Sequence, residues 1–129
     1  MYKYIFVVFF IFVLNGQDLK LRKNMKVMMK WKLTEYLDLN EEQAENFFPK
    51  MNTYEKKRKD IISQIRLLKE NIEKQISLNS SNMRKNKASI EELQELEKNL
   101  IDAKAEYFFS IQSVLEPVQV TKLLIFDKI

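Results

Sequence analysis

The stretch NEEQAENFFPKMNTYEKKRKDIISQIRLLKENIEKQIS, residues 40–77, decides the fold. It opens on Asn40, a good helix N-cap, with Gln43 placed to reach back to the cap's N–H. Glu41 and Glu42 occupy the first turn, where the helix dipole favours negative charge. Ala44, Phe47, Phe48, Met51, Tyr54, Ile61, Ile62, Ile65, Leu68, Ile72 and Ile76 then recur at helical steps. That period sets them on one face of a long helix over 41–77. Arg58 takes a stripe position between Tyr54 and Ile61. Pro49 lacks an N–H and crowds the preceding turn, which predicts a kink or short break near 45–49. Glu55 with Lys59, and Glu70 with Lys74, have the spacing of ion pairs on the wet face.

Working toward the C-terminus, residues 77–88 are rich in serine, asparagine and lysine and lose the period, which predicts an exposed connection. Ser89 and Glu92 make a capping box for a third helix over about 90–114. Its stripe is Ile90, Leu93, Leu96, Leu100, Ala103, Tyr107, Ile111 and Val114, widened by Ile101 and Phe108. Pro117 suits the first turn of a last helix over 117–127, whose apolar residues are Val118, Leu123, Leu124 and Phe126. Toward the N-terminus, Met25, Met28, Met29, Leu33, Tyr36 and Leu37 share one face of a helix over about 19–37, ended by Asp38-Leu39-Asn40. Trp31 lies off that stripe or at its edge.

The fold class is therefore all-α, with four helices. Residues 49–76 alone span about 42 Å as helix, at 1.5 Å per residue. A compact chain of this size has a radius of gyration of only about 13 Å. The expectation is an elongated, hairpin-like subunit with one long kinked helix, its apolar flanks covered by a second copy in a homodimer.

Composition removes most chemistry. The 129 residues include no cysteine, no histidine, one glycine and two prolines. Ser-His-Asp and Cys-His nucleophiles, the usual zinc sites, di-iron Glu-x-x-His sites, phosphate-cradling glycine loops and dinucleotide fingerprints are all excluded. The acidic cluster Glu91, Glu92, Glu95 and Glu97 lies beside Lys98 and reads as solvated helix charge. The expectation is a protein that is not an enzyme and carries no cofactor.

Residues 1–17 differ from the rest. Thirteen of them are apolar, ten in the unbroken run Ile5 to Leu14, and Lys3 is their only charge. A membrane-crossing helix needs about 20 apolar residues. The pattern reads as a secretory signal peptide cleaved after Gly16 or Gln17, leaving a single helical domain over 18–129. The basic residues that follow suit an uncleaved membrane anchor instead. Residues 18–32 set six cations against Asp18 alone, a net of +5, while the whole chain is +4.

Two helix starts share a motif. Leu39-Asn40-Glu41-Glu42-Gln43 and Leu115-Glu116-Pro117-Val118-Gln119 both read L-x-x-x-Q at a loop-to-helix junction. Paired in an exported, cysteine-free, four-helix chain, they resemble the Spy/CpxP family of bacterial periplasmic proteins, defined by two L-T-x-x-Q motifs. The resemblance covers about residues 25–127. The leading threonine is absent from both copies. Asn40 replaces it with an equally good cap, whereas Glu116 is a poorer one backed by Pro117.

The resemblance implies a long helical hairpin, a cradle-like dimer, and one of two roles. One is an ATP-independent chaperone for unfolded or partly folded envelope proteins. The other is a regulator or sensor subunit of envelope-stress or metal-responsive signalling, partnered with a membrane signalling protein. A third reading, from another class, is a structural coiled coil tethered by residues 1–14.

Leu39, Gln43, Leu115 and Gln119 read as structural, because cap chemistry explains both glutamines. Candidate client contacts are Met25, Met28, Met29 and Trp31, interleaved with basic residues that include Lys26 and Lys30, together with Arg58. Methionine adapts to many partners, and basic charge steers acidic ones. The competing reading makes the methionines ordinary core and the lysines their solvated face. Met25, Met28 and Met29 carry thioethers of the kind that bind Cu(I), but with no histidine or thiolate beside them they read as packing, and no metal site is expected. Lys56 to Lys59 lie inside a helix with no nucleic-acid motif beside them, so no nucleic-acid partner is expected.

Overall fold

A computed structural model describes the backbone of residues 2–126 and the side chains of residues 20–126. The signal-peptide and anchor expectations fall on side chains outside the described residues. The described chain is all-helical: α1 Tyr2–Leu37, α2 Glu41–Ser77, α3 Met83–Ile111 and α4 Pro117–Phe126. It divides into two units, Met1–Asn40 and Glu41–Ile129.

The first unit is the 36-residue α1 and the turn that ends it. The helix begins at Tyr2, well before the expected start near 19, and passes through Gly16 without a break. A single glycine costs a helix only about 1 kcal/mol. At the far end, Asp38 adopts φ 52°. Its N–H reaches the Glu35 carbonyl at 3.2 Å, and the Leu39 N–H reaches the Thr34 carbonyl at 3.0 Å. This pair of bonds is a Schellman C-cap, satisfying carbonyls that the helix leaves without donors. Glycine usually takes the left-handed position; here an aspartate does, one of the few side chains that tolerate it.

The second unit is a hairpin of α2 and α3 with α4 following. Helix α2 runs 37 residues from Glu41 to Ser77 and contains Pro49 within it. It is continuous at 45–49, so the break allowed at Pro49 does not occur. Pro49 is the ninth residue of α2, past the first turn, so the helix continues there at the cost of one ladder hydrogen bond. Helix α2 ends as α1 does. Asn79 has φ 50°, its N–H meets the Ile76 carbonyl at 3.0 Å, and the Ser80 N–H meets the Gln75 carbonyl at 2.9 Å.

The connection is shorter than expected, because α3 starts at Met83 and not near residue 90. Asn82, extended at φ −151°, caps it by accepting the Lys85 N–H at 2.9 Å. Asparagine caps as well as serine, and nothing in Met83–Ala88 breaks a helix, so the earlier signal prevails. Ser89 and Glu92 thus lie inside α3 rather than at its start. The helix ends at Ile111, three residues before the expected 114.

The hairpin core is Ile61 and Leu68 from α2 against Leu96 and Ala103 from α3, flanked by Tyr54, Ile65, Ile72, Leu93 and Leu100. Toward the α4 end, Phe47, Tyr107, Ile111, Leu115 and Leu123 are buried. Tyr54 stacks on Tyr107 with ring centroids 4.6 Å apart and planes 5° from parallel. Phe47 approaches Tyr107 at 6.4 Å and Phe48 edge-on at 5.2 Å. Each such apolar side chain contributes roughly 1.5–3 kcal/mol by leaving water. Among charges, Lys57 bridges to Glu106 across the hairpin at 2.9 Å. Glu70 pairs back with Arg66 at 4.0 Å, in place of the expected Lys74.

Candidate functional site

The two motif glutamines meet. They are 76 residues apart in sequence, yet Gln43 Nε2 donates to Gln119 Oε1 at 2.8 Å, and Gln119 Nε2 donates back to Gln43 Oε1 at 3.1 Å. Gln119 Oε1 also accepts the Glu116 N–H at 2.8 Å. Gln43 Nε2 lies 3.4 Å from the Val114 carbonyl. Gln119 is the third residue of α4, and its side chain closes on the cap residue as in a capping box. A primary amide has two donors and one acceptor oxygen, so two of them can form a cyclic pair and still serve the adjacent turn. Gln119 is buried, 7% exposed. Among the described residues no buried side-chain nitrogen or oxygen lacks a partner.

The other motif residues differ in exposure. Leu115 is buried and Pro117 is exposed at the first position of α4. Leu39 is half-buried and Asn40 exposed, both in the first unit. The client candidates Met25, Met28, Met29, Trp31, Lys26 and Lys30 are all exposed on α1. Their spacing suits a core face, but the methionines do not form one. Arg58 is exposed on α2, in the other unit.

A surface the stripe reading missed lies on the hairpin. Ile62, Ile76, Ile90 and Ile101 were expected in the core, yet they are 40%, 67%, 65% and 69% exposed. Helix geometry explains the error. At about 100° per residue, Ile62 stands well to one side of Ile61, Leu68 and Ile72, and Ile90 and Ile101 stand off Leu96 and Ala103 in the same way. The Lys57–Glu106 bridge marks the opposite side of the hairpin. The isoleucines lie on the other side, interleaved with exposed Lys69, Glu73, Glu97 and Lys104. The signal that finds them is stripe width. Two helices packing as a pair cover a narrow seam, while these stripes are as wide as those of helices with two neighbours.

Among the described residues no group of three acidic side chains is placed to hold a metal ion. No described helix is long and apolar enough to cross a membrane. Comparison with family models, curated proteins and solved structures finds no match to the chain.

Proposed function

We propose that the protein is an ATP-independent chaperone of the bacterial envelope, exported to the periplasm, acting as a homodimer and binding unfolded or partly folded proteins through exposed apolar surface. The observation that carries this reading is the isoleucine side of the α2–α3 hairpin. Four aliphatic side chains, Ile62, Ile76, Ile90 and Ile101, lie in water rather than in the core. Exposed aliphatic side chains beside charged ones offer contacts to apolar segments of a partner. The two L-x-x-x-Q motifs support the reading through the Spy/CpxP resemblance, and exposed Met25, Met28 and Met29 add adaptable contacts.

The test is light scattering from a chemically denatured client diluted into buffer with and without the purified protein, nucleotide absent. Suppression of aggregation at near-stoichiometric ratios across several unrelated clients is the expected result. No suppression with any client overturns the proposal. Binding of a single membrane signalling protein at fixed stoichiometry, without suppression, replaces it with the regulator.

A further inference from the structure

We infer that residues 20–32 of α1 form a docking surface for an anionic phospholipid bilayer, a property that goes beyond client binding. The helix here has two sides. At about 100° per residue, Leu21, Met25, Met28 and Met29 fall within an arc of about 100°. Lys23, Lys26 and Lys30 project on the opposite side, with Val27, 50% exposed, beside them. The apolar arc is open to water: Leu21 is 60% exposed, Met25 67%, Met28 60% and Met29 47%. Trp31, about 60° beyond the Met28 edge of that arc, is 75% exposed. Lys32 falls within it at the C-terminal end, where a long apolar stem lets the ammonium rise to the headgroups. Upstream, the sequence from Ile5 to Leu14 is an unbroken apolar run, without the alternation of lysine and apolar residues seen in this stretch.

Charge selects the occupant. Residues 18–32 carry a net +5 while residues 33–129 carry −2, so the excess of positive charge lies on this one helix. A basic amphipathic helix with a tryptophan at its boundary lies in the plane of a membrane, its apolar side about 5–10 Å into the headgroup region. Tryptophan favours that depth because its ring is apolar and its N–H wants a partner. A zwitterionic surface attracts such a helix only through its apolar arc. An anionic one adds about fivefold in binding per lysine or arginine near the surface.

Trp31 is the only tryptophan and reports its own environment. The experiment titrates the full-length protein with vesicles of phosphatidylglycerol or of phosphatidylcholine and follows Trp31 emission. The expected result is a blue shift at much lower lipid concentration with phosphatidylglycerol, reversed by salt, and quenched by brominated acyl chains. Lys23→Gln with Lys26→Gln should weaken binding to phosphatidylglycerol about 25-fold and leave phosphatidylcholine binding unchanged. Equal partition to both lipids, or an unaltered double variant, overturns the inference. So does a blue shift with a denatured client but with neither vesicle, which assigns the arc to polypeptide. Aggregation suppression is read separately, so loss of lipid binding leaves the chaperone proposal standing.

Discussion

Gln43 and Gln119 form a reciprocal amide pair, each donating to the other's carbonyl oxygen at 2.8 and 3.1 Å. This pair fastens the first turn of α2 to the first turn of α4, and through Glu116 and Val114 it holds the turn between α3 and α4. Removing one partner strands the other beside a buried chain reversal. Gln119→Leu should therefore destabilise by about 1–3 kcal/mol, the cost of a polar group left unpaired. Gln43→Leu with Gln119→Leu together should cost less than the sum of the singles. A double-mutant cycle by urea denaturation reads the coupling, expected at about 0.5–3 kcal/mol.

The second prediction concerns the start of α3. Asn82 accepts the Lys85 N–H and nucleates six residues of helix ahead of Ser89. Asn82→Ala should lose about 1 kcal/mol, whereas Ser89→Ala, inside the helix, should be close to neutral. The reverse order in thermal melts places the start of α3 at Ser89 and discards the longer helix.

Pro49 supplies the third. It lies inside a continuous α2, where it supplies no N–H to the helix ladder. Pro49→Ala restores that donor and should stabilise the protein by about 1–3 kcal/mol. A lower melting temperature for the variant would mean that the proline's geometry is needed by the packing around Phe47 and Phe48.

The fourth separates surface from core. Ile90 and Ile101 are mostly exposed, so Ile90→Ser with Ile101→Ser should shift stability by no more than about 0.5 kcal/mol per site. Leu96→Ala, by contrast, should cost about 2–5 kcal/mol. If the isoleucine side holds clients, the double serine variant keeps its melting temperature and loses aggregation suppression. Retained suppression moves client binding off the hairpin.

Local chemistry determined a good deal of this protein in the sequence alone. The scarcity of glycine and proline, the helical period of the apolar residues, the cap at Asn40 and the proline at 117 set four helices. The bounds of α2, 41–77, follow from those signals alone, and so does the start of α4 at Pro117. Where two cap signals competed, at Asn82 and Ser89, sequence offered no arbiter, because both are good caps and the residues between them are neutral. The left-handed residues Asp38 and Asn79 were equally hidden, since glycine is the usual sign and the chain has one.

Tertiary structure alone decided what faces what. Periodicity says that Ile62, Ile76, Ile90 and Ile101 lie near an apolar stripe; it does not say how wide a seam the partner helix covers. The hairpin register, with Tyr54 on Tyr107 and Lys57 on Glu106, leaves those four outside it. The pairing of Gln43 with Gln119 belongs to the same class. Each glutamine is legible locally as a cap residue, but contact across 76 positions depends on how α3 returns the chain to the start of α2. Local hydrogen bonding and propensity act within a few residues and can be read from them. Burial and long-range pairing are properties of the packed surfaces, and they exist only once the helices have met.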